Sequence, residues 1–188
     1  VCEDMYGSPF RLAYPDVDHC RFMMVIGANP AVSGNTLYHL PQSVQRLKAI
    51  VKRGGRVVFL NPRRIETAQA GEHLFIRPDT DVFFLAAFCR ELIHRGGVDA
   101  GRVAAHMRGF EELRQAVEPW TPERQAAVTG VPADTLVDLV EAHRASGAAA
   151  LYMAPGVNQG RSGTCCFWLL EAINAISGNL DRAGGTLM

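Results

Sequence analysis

Short apolar runs that stop at turn residues, alternating with stretches of helical periodicity, constrain this chain more than anything else in it. Arg21 to Asn29 is such a run, apolar from Phe22 to Ile26 and ending in Gly27-Ala28-Asn29. An apolar run without alternation is the pattern of a parallel strand buried on both faces. Leu40, Val44, Leu47, Ile50 and Val51 then follow helical spacing up to Arg53, and Gly54-Gly55 stops that helix. Arg56 to Asn61 predicts a second buried strand closed by Pro62. Leu74 to Ile76 predicts a third, shorter one closed by Arg77-Pro78. A helix is expected from about Thr80 to His94, capped by Asp79 or Thr80. Ala148 to Met153 returns to strand, Pro155 to Gly163 reads as a Gly-rich loop, and Cys165 to Ser177 as a helix.

This alternation predicts an α/β fold, a Rossmann-like parallel sheet with helices on both faces. The stretch at about 99–145 is different, because Gly109, Pro119, Pro122, Gly130 and Pro132 split it into short helical pieces. It is expected to be a helical insertion within one domain spanning 1–188, with Thr121-Pro122 and Val131-Pro132 as helix starts. Phe83, Phe84, Phe88, Phe167 and Trp168 fall at helical spacing and are expected in the core. Trp120 is expected to staple the helix start that follows it. Arg21, Arg46, Arg53, Arg90 and Arg95 are expected on solvated faces or strand starts.

Composition removes several functions. Lys plus Arg and Asp plus Glu each number 19, so no global field draws the chain to nucleic acid or an anionic membrane. The longest apolar stretch, near Phe167 to Ile176, is broken by Glu171 and Asn174 and is too short to span a bilayer. The chain opens on Val1 and is expected to be a piece of a longer polypeptide; with no targeting segment in view, a cytoplasmic location is expected. The five cysteines show neither C-x-x-C spacing nor a disulfide framework, and the six histidines form no H-x-x-x-H pair. Free thiols and no zinc site are the expectation.

In open α/β sheets, ligands sit beyond the carboxyl ends of the strands. Here those ends carry Gly27-Ala28-Asn29-Pro30 with Ser33-Gly34-Asn35, then Asn61-Pro62-Arg63-Arg64, Arg77-Pro78-Asp79-Thr80-Asp81, and Gly156 to Thr164. Backbone N–H groups and helix N-termini there suit phosphates. A carboxylate such as Asp81 suits the paired donors of a guanine edge, and Arg63 or Arg64 a diphosphate. Turn geometry alone accounts for Gly and Asn at such ends equally well. Neither G-x-G-x-x-G nor a P-loop occurs, so NAD and ATP gain no support.

The ordered set Gly27-Ala28-Asn29-Pro30, Arg53 to Ala68, Arg77-Pro78-Asp79-Thr80-Asp81, Gly109 to Leu113, Thr129-Gly130-Val131-Pro132, Gly156-Val157-Asn158-Gln159 and Ser177-Gly178-Asn179-Leu180 with Gly184-Gly185 resembles the molybdopterin oxidoreductase family. That is the group of dimethyl sulfoxide reductase, formate dehydrogenase and nitrate reductase. The resemblance covers nearly the whole chain. It implies molybdopterin guanine dinucleotide as cofactor, two copies surrounding one molybdenum or tungsten, with this domain cradling one of them. Gly27 and Asn29 are then expected near the phosphate or pterin linkage, Asn61 and Arg63 by the nucleotide, and Asp81 on the guanine. Gly156, Asn158 and Gln159 are expected to approach the pterin side and the metal.

The resemblance further implies an iron–sulfur cluster and a second-dinucleotide domain elsewhere in the parent polypeptide, with electron-transfer subunits as further partners. No catalytic residue or metal ligand is identified; Cys2 lacks a supporting motif and reads as an incidental thiol. Two positions depart from the family pattern, Asn61 where Asp is usual and Asp79 where Gly is usual. The alternatives are a cofactor-free structural relative, as in a large subunit of respiratory NADH dehydrogenase, and another nucleotide-binding α/β domain, such as the middle domain of thiamine-dependent enzymes. A Gly156 loop far from the Asn29 and Asn61 loops would favour the last of these.

Overall fold

The computed structural model describes residues 1–33 and 40–188; Gly34 and Asn35, read above as part of the first strand-end loop, lie outside the described residues. The chain runs through α1 (Cys2–Tyr6), β1 (Tyr14–Pro15), β2 (Phe22–Ile26), α2 (Ser43–Lys52) and β3 (Arg56–Asn61). A 3-10 turn (Glu66–Ala70) leads into β4 (Glu72–Phe75) and α3 (Asp81–His94). Four helices follow: α4 (Ala100–His106), α5 (Phe110–Val117), α6 (Pro122–Thr129) and α7 (Ala133–Ser146). β5 (Ala149–Met153), α8 (Pro155–Asn158), α9 (Gly163–Ile176) and β6 (Thr186–Leu187) complete it. None of the described helices is long and apolar enough to cross a membrane.

The fold is α/β. β2 to β5 form one parallel sheet in the order β4-β3-β2-β5, while β1 pairs antiparallel with β6. Met24 stands opposite Val58 on one side and Leu151 on the other, so β2 is one of the two inner strands of the sheet. Its five residues are all buried and feed both faces in turn. Phe22, Met24 and Ile26 meet Phe84, Phe88, Leu139 and Ile173 of α3, α7 and α9. Met23 and Val25 meet Leu47 and Ile50 of α2. Each such side chain contributes roughly 1.5–3 kcal/mol by leaving water. That is why the strand carries no polar residue on either face.

Four expectations need correction. The third strand is Glu72–Phe75, not Leu74 to Ile76, and only its later half overlaps the apolar signal. The stretch at 99–145 is not wholly an insertion, because α7 lies against β2, β5 and α3 and is the crossover helix that returns the chain to the sheet. Arg90 is not solvated: its guanidinium meets Glu91 at 2.5 Å and donates to the Glu118 carbonyl at 3.0 Å, while Arg95 joins Glu91 at 2.9 Å to Glu141 at 3.2 Å. Together they neutralise the buried Glu91 where α3 meets α7. Trp120 stacks on Phe83, centroids 4.4 Å apart, with the Arg124 guanidinium 4.3 Å from its ring, instead of stapling its own helix.

β5 is an edge strand, and side-chain amides close its outer edge. Asn174 accepts the Leu151 N–H at 3.0 Å and donates to the Leu151 carbonyl at 3.1 Å, while Asn179 accepts the Ala149 N–H at 3.2 Å. Both backbone groups of Leu151 are thereby paired without another strand.

His143 on α7 is buried edge-on between Phe22 and Phe88, ring centroids 5.6 and 5.5 Å away, and neither ring nitrogen has a hydrogen-bond partner among the described residues. Burial lowers its pKa to about 4 from 6.5. The unfolded chain therefore takes up this proton before the folded one does. Stability falls as pH drops below 6.5 and levels off below 4, by about 3 kcal/mol in total. Glu171 acts in the opposite sense, because burial raises it to about 7 and its protonated folded form gains stability as pH falls from there. Comparing His143→Phe with wild type isolates the first effect. Urea midpoints should show a shallower loss between pH 6.5 and 4 in the variant; parallel profiles would contradict the assignment.

Candidate functional site

Because β2 to β5 are parallel, all four carboxyl ends lie along one edge of the sheet. From β2 the chain steps outward through β3 to β4, then returns to place β5 on the other side of β2. This is the switch point at which open α/β sheets leave a crevice. The strand-end segments meet there. The Gly156 N–H donates to the Gly27 carbonyl at 3.1 Å, and the Ala154 N–H to the Ile26 carbonyl at 3.2 Å.

The two glycines fit only each other. Gly27 adopts φ +62, and a Cβ on it would fall 2.6 Å from Val157 Cγ2 and 2.8 Å from the Val157 nitrogen. A Cβ on Gly156 would fall 2.5 Å from the Gly27 carbonyl oxygen. Close approach of two main chains thus accounts for both positions. The Pro155–Gly163 segment, expected as loop, contains α8, with Pro155 preset for its first turn.

On the β3 side, the asparagines are committed to their own protein. Asn29 accepts the Thr67 hydroxyl at 2.7 Å and donates to Glu66; Thr67 in turn accepts the Ala31 N–H at 2.8 Å. Arg63, exposed, lies 3.3 Å from the same Glu66. Asn61, 7% exposed, donates its amide to the Ala28 carbonyl at 3.3 Å. A carboxylate at this position has no donor for that contact, which gives the amide a local reason. Glu66 and Thr67 belong to the quoted pattern but carried no expected role; their part emerges only from the fold.

On the β4 side, Arg77 donates to the Ala127 and Val128 carbonyls at 2.6 and 3.0 Å, tying the strand end to α6. Thr80 stands at the cap position of α3, yet its hydroxyl donates backward to the Arg77 carbonyl at 2.7 Å. Asp81 opens α3, and its carboxyl has no side-chain partner among the described residues. Burial, and secondarily the charge of Asp79, pushes its pKa up. Asp79 has the left-handed φ +63, and its carboxylate accepts the Arg161 N–H at 2.9 Å.

Asn158 and Gln159 are exposed, and their side chains make no hydrogen bond to the described residues. Contacts therefore run without a break from Asn61 through Ala28, Gly27 and Gly156 to Arg161, Asp79 and the start of α3. Every expected site residue lies along this edge.

Other candidates lie elsewhere. Cys2 sits on α1, whose Tyr6 donates to Glu171 at 2.6 Å on the helical flank. Trp168, expected in the core, is 37% exposed and lines a cavity of about 700 Å³ there, beside Tyr6, Arg102, His106 and Phe110. Among the described residues, no group of three His, Cys, Asp or Glu side chains is placed to hold a metal ion.

The glycine contact yields a direct test. Gly156→Ala should destabilise the chain by about 2 kcal/mol or more, because its new methyl meets backbone that cannot yield cheaply. Gly7 has the opposite makeup, a left-handed φ of +69 that Gly156 does not share and nothing within 4 Å of its Cβ position, so Gly7→Ala reports a backbone term without any contact, about 1 kcal/mol. Urea denaturation compares them, and equal losses would contradict the close-approach account.

No family model matches the chain. It is 28% identical over 171 residues to formate dehydrogenase H of Escherichia coli, covering 90% of this chain and 23% of that protein. It is 30% identical over 175 residues to the molybdopterin-containing subunit of thiosulfate reductase of Salmonella typhimurium, covering 90% and 22%. Assimilatory nitrate reductase of Haloferax mediterranei matches at 29% over 174 residues, covering 92% and 23%. Acetylene hydratase from Pelobacter acetylenicus shares the fold, with a TM-score of 0.81 over 94% of this chain and 23% of that one, at 21% identity. The chain spans about a quarter of the length of these relatives. In sequence and fold together, it belongs to the molybdopterin oxidoreductase family.

Proposed function

We propose that this chain is the part of a molybdenum or tungsten oxidoreductase that cradles one pterin dinucleotide, the remaining domains belonging to the same longer polypeptide. The carrying observation is the line of contacts that gathers Gly27, Asn61, the Gly156–Gln159 segment and the start of α3 at Asp81 on one strand-end edge, with Asn29 and Arg63 joined beside it through Glu66. The donor set fits the group. Asp81 offers a carboxylate with no side-chain partner among the described residues to the paired donors of a guanine, Asn158 and Gln159 offer exposed amides to a pterin, and Arg63 offers an exposed cation to a diphosphate. When bound, the pterin-held metal supplies two-electron redox chemistry. The role of this chain is to bind and orient its carrier. The iron–sulfur cluster, the second dinucleotide and any electron-transfer subunit belong to the rest of that assembly.

One observation favours a second reading, a cofactor-free structural relative: Asn29 and Asn61 already spend donors on internal partners. The thiamine-enzyme alternative requires the Gly156 loop to stand apart, and its contact with Gly27 counts against that.

Calorimetric titration of the chain separates these readings. GDP should bind saturably and more tightly than ADP, and Asp81→Ala should lose about tenfold or more of the GDP affinity. Because the pKa of Asp81 is raised, wild-type affinity should begin to fall, as pH is lowered, above the range usual for an aspartate. Equal affinity for GDP and ADP, or an Asp81→Ala variant that binds like wild type, contradicts the guanine-reading role.

A further inference from the structure

We infer that Asp79 is a positioning residue. Its carboxylate clasps the β5–α9 segment to the β4–α3 segment and so fixes Asp81 relative to Asn158 and Gln159. This rests on the dinucleotide-binding reading above.

The contact joins positions 82 residues apart in the chain: Asp79 Oδ1 accepts the Arg161 backbone N–H at 2.9 Å. Among the described residues, no other hydrogen bond ties residues 76–81 to residues 154–163. Gly160 brings its main chain close to the carboxylate, since a Cβ there would fall 2.7 Å from Asp79 Oδ1. The bond is made to the backbone, so it holds the loop itself and leaves the Arg161 side chain, 93% exposed, free to move. The guanidinium stands 3.7 Å from Asp79 Oδ2, an exposed and screened pair that adds little.

Asp79 reaches this contact at a backbone cost. Its φ of +63 lies in the left-handed region, which Asp and Asn tolerate better than other side chains because a short polar group bonds locally. Two residues later the chain enters α3 at Asp81; two residues before Arg161 stands Gln159. The clasp therefore sits between the group proposed to read the base and the groups proposed to meet the pterin. It sets their separation without touching the ligand.

Two substitutions separate positioning from fold. Asp79→Gly accepts the left-handed backbone but removes the acceptor. Asp79→Asn keeps both the backbone tolerance and an oxygen for the Arg161 N–H. Hydrogen exchange over residues 156–163, followed by mass spectrometry in the unliganded full polypeptide, reads the clasp directly. GDP affinity of the same polypeptide, freed of its own cofactor, reads positioning. Asp79→Gly should speed exchange there about tenfold and weaken GDP about tenfold, with exchange in β2 and β3 unchanged; Asp79→Asn should restore both. Unchanged exchange in Asp79→Gly overturns the clasp. Faster exchange with unaltered GDP affinity makes Asp79 a loop anchor only and overturns the positioning role. A wild-type polypeptide that binds no GDP sinks the dinucleotide reading and the positioning role with it, while the exchange measurement still decides the clasp.

Discussion

The main-chain contact between Gly27 and Gly156 is the constraint on which the rest of the candidate site depends. Two strand-end segments, from opposite sides of the topological reversal, touch through a 3.1 Å hydrogen bond with no side chain between them. Adding one carbon atom to either glycine places it inside the van der Waals radius of the other segment. Everything that bears chemistry at this edge is then placed by short tethers from that junction: Asn61 through the Ala28 carbonyl, Asn29 through Thr67, and the β4 end through Asp79 and Arg161.

A division of labour among polar side chains follows. Amides with buried or half-buried surroundings are used to finish the protein's own backbone. Asn174 and Asn179 close the outer edge of β5, and Asn61 serves the turn after β2. An amide suits such positions because it donates and accepts at once, where a carboxylate only accepts. The carboxylates are used differently. Glu91 is neutralised between two arginines, Asp79 takes a backbone N–H, and Asp81 has no side-chain partner among the described residues. An uncommitted carboxylate of this kind, held in a partly desolvated place, is the mark of a group that waits for a donor from outside.

Much of this was legible from residue order. β2, β3 and β5 carry uninterrupted apolar runs because they are covered on both faces. β4 starts two residues earlier than its apolar signal because, at the sheet edge, Glu72 and His73 pair in the ladder without being buried. α7 has the same periodicity as the helices before it, and only its contact with β2 and β5 marks it as the crossover. Arg90 looked like a solvated charge because nothing local announces that Glu91, beside it, is buried, whereas Arg95 is exposed as expected and still reaches the same carboxylate. At the strand-end edge, the segments that the strand-end rule grouped do meet in the fold. The rule could not show that Asn29 and Asn61 are internally satisfied, nor that Asp79 meets Arg161, since such pairings between distant positions leave no periodic trace. Glycines at 27 and 156 read as turn residues, whereas what they require is each other's proximity.

The central claim is that the strand-end edge, and not the helical flank, receives a guanine-bearing pterin dinucleotide. A crystal or cryo-electron-microscopy structure of the cofactor-loaded full polypeptide tests it most directly, through the distance from the Asp81 carboxylate to the base. The account predicts both carboxylate oxygens within hydrogen-bonding distance of the guanine, about 2.7–3.2 Å, with the phosphates lying over the Gly27–Gly156 junction. A nucleotide seated in the cavity beside Trp168, or a strand-end edge filled by another part of the polypeptide in place of cofactor, would contradict it.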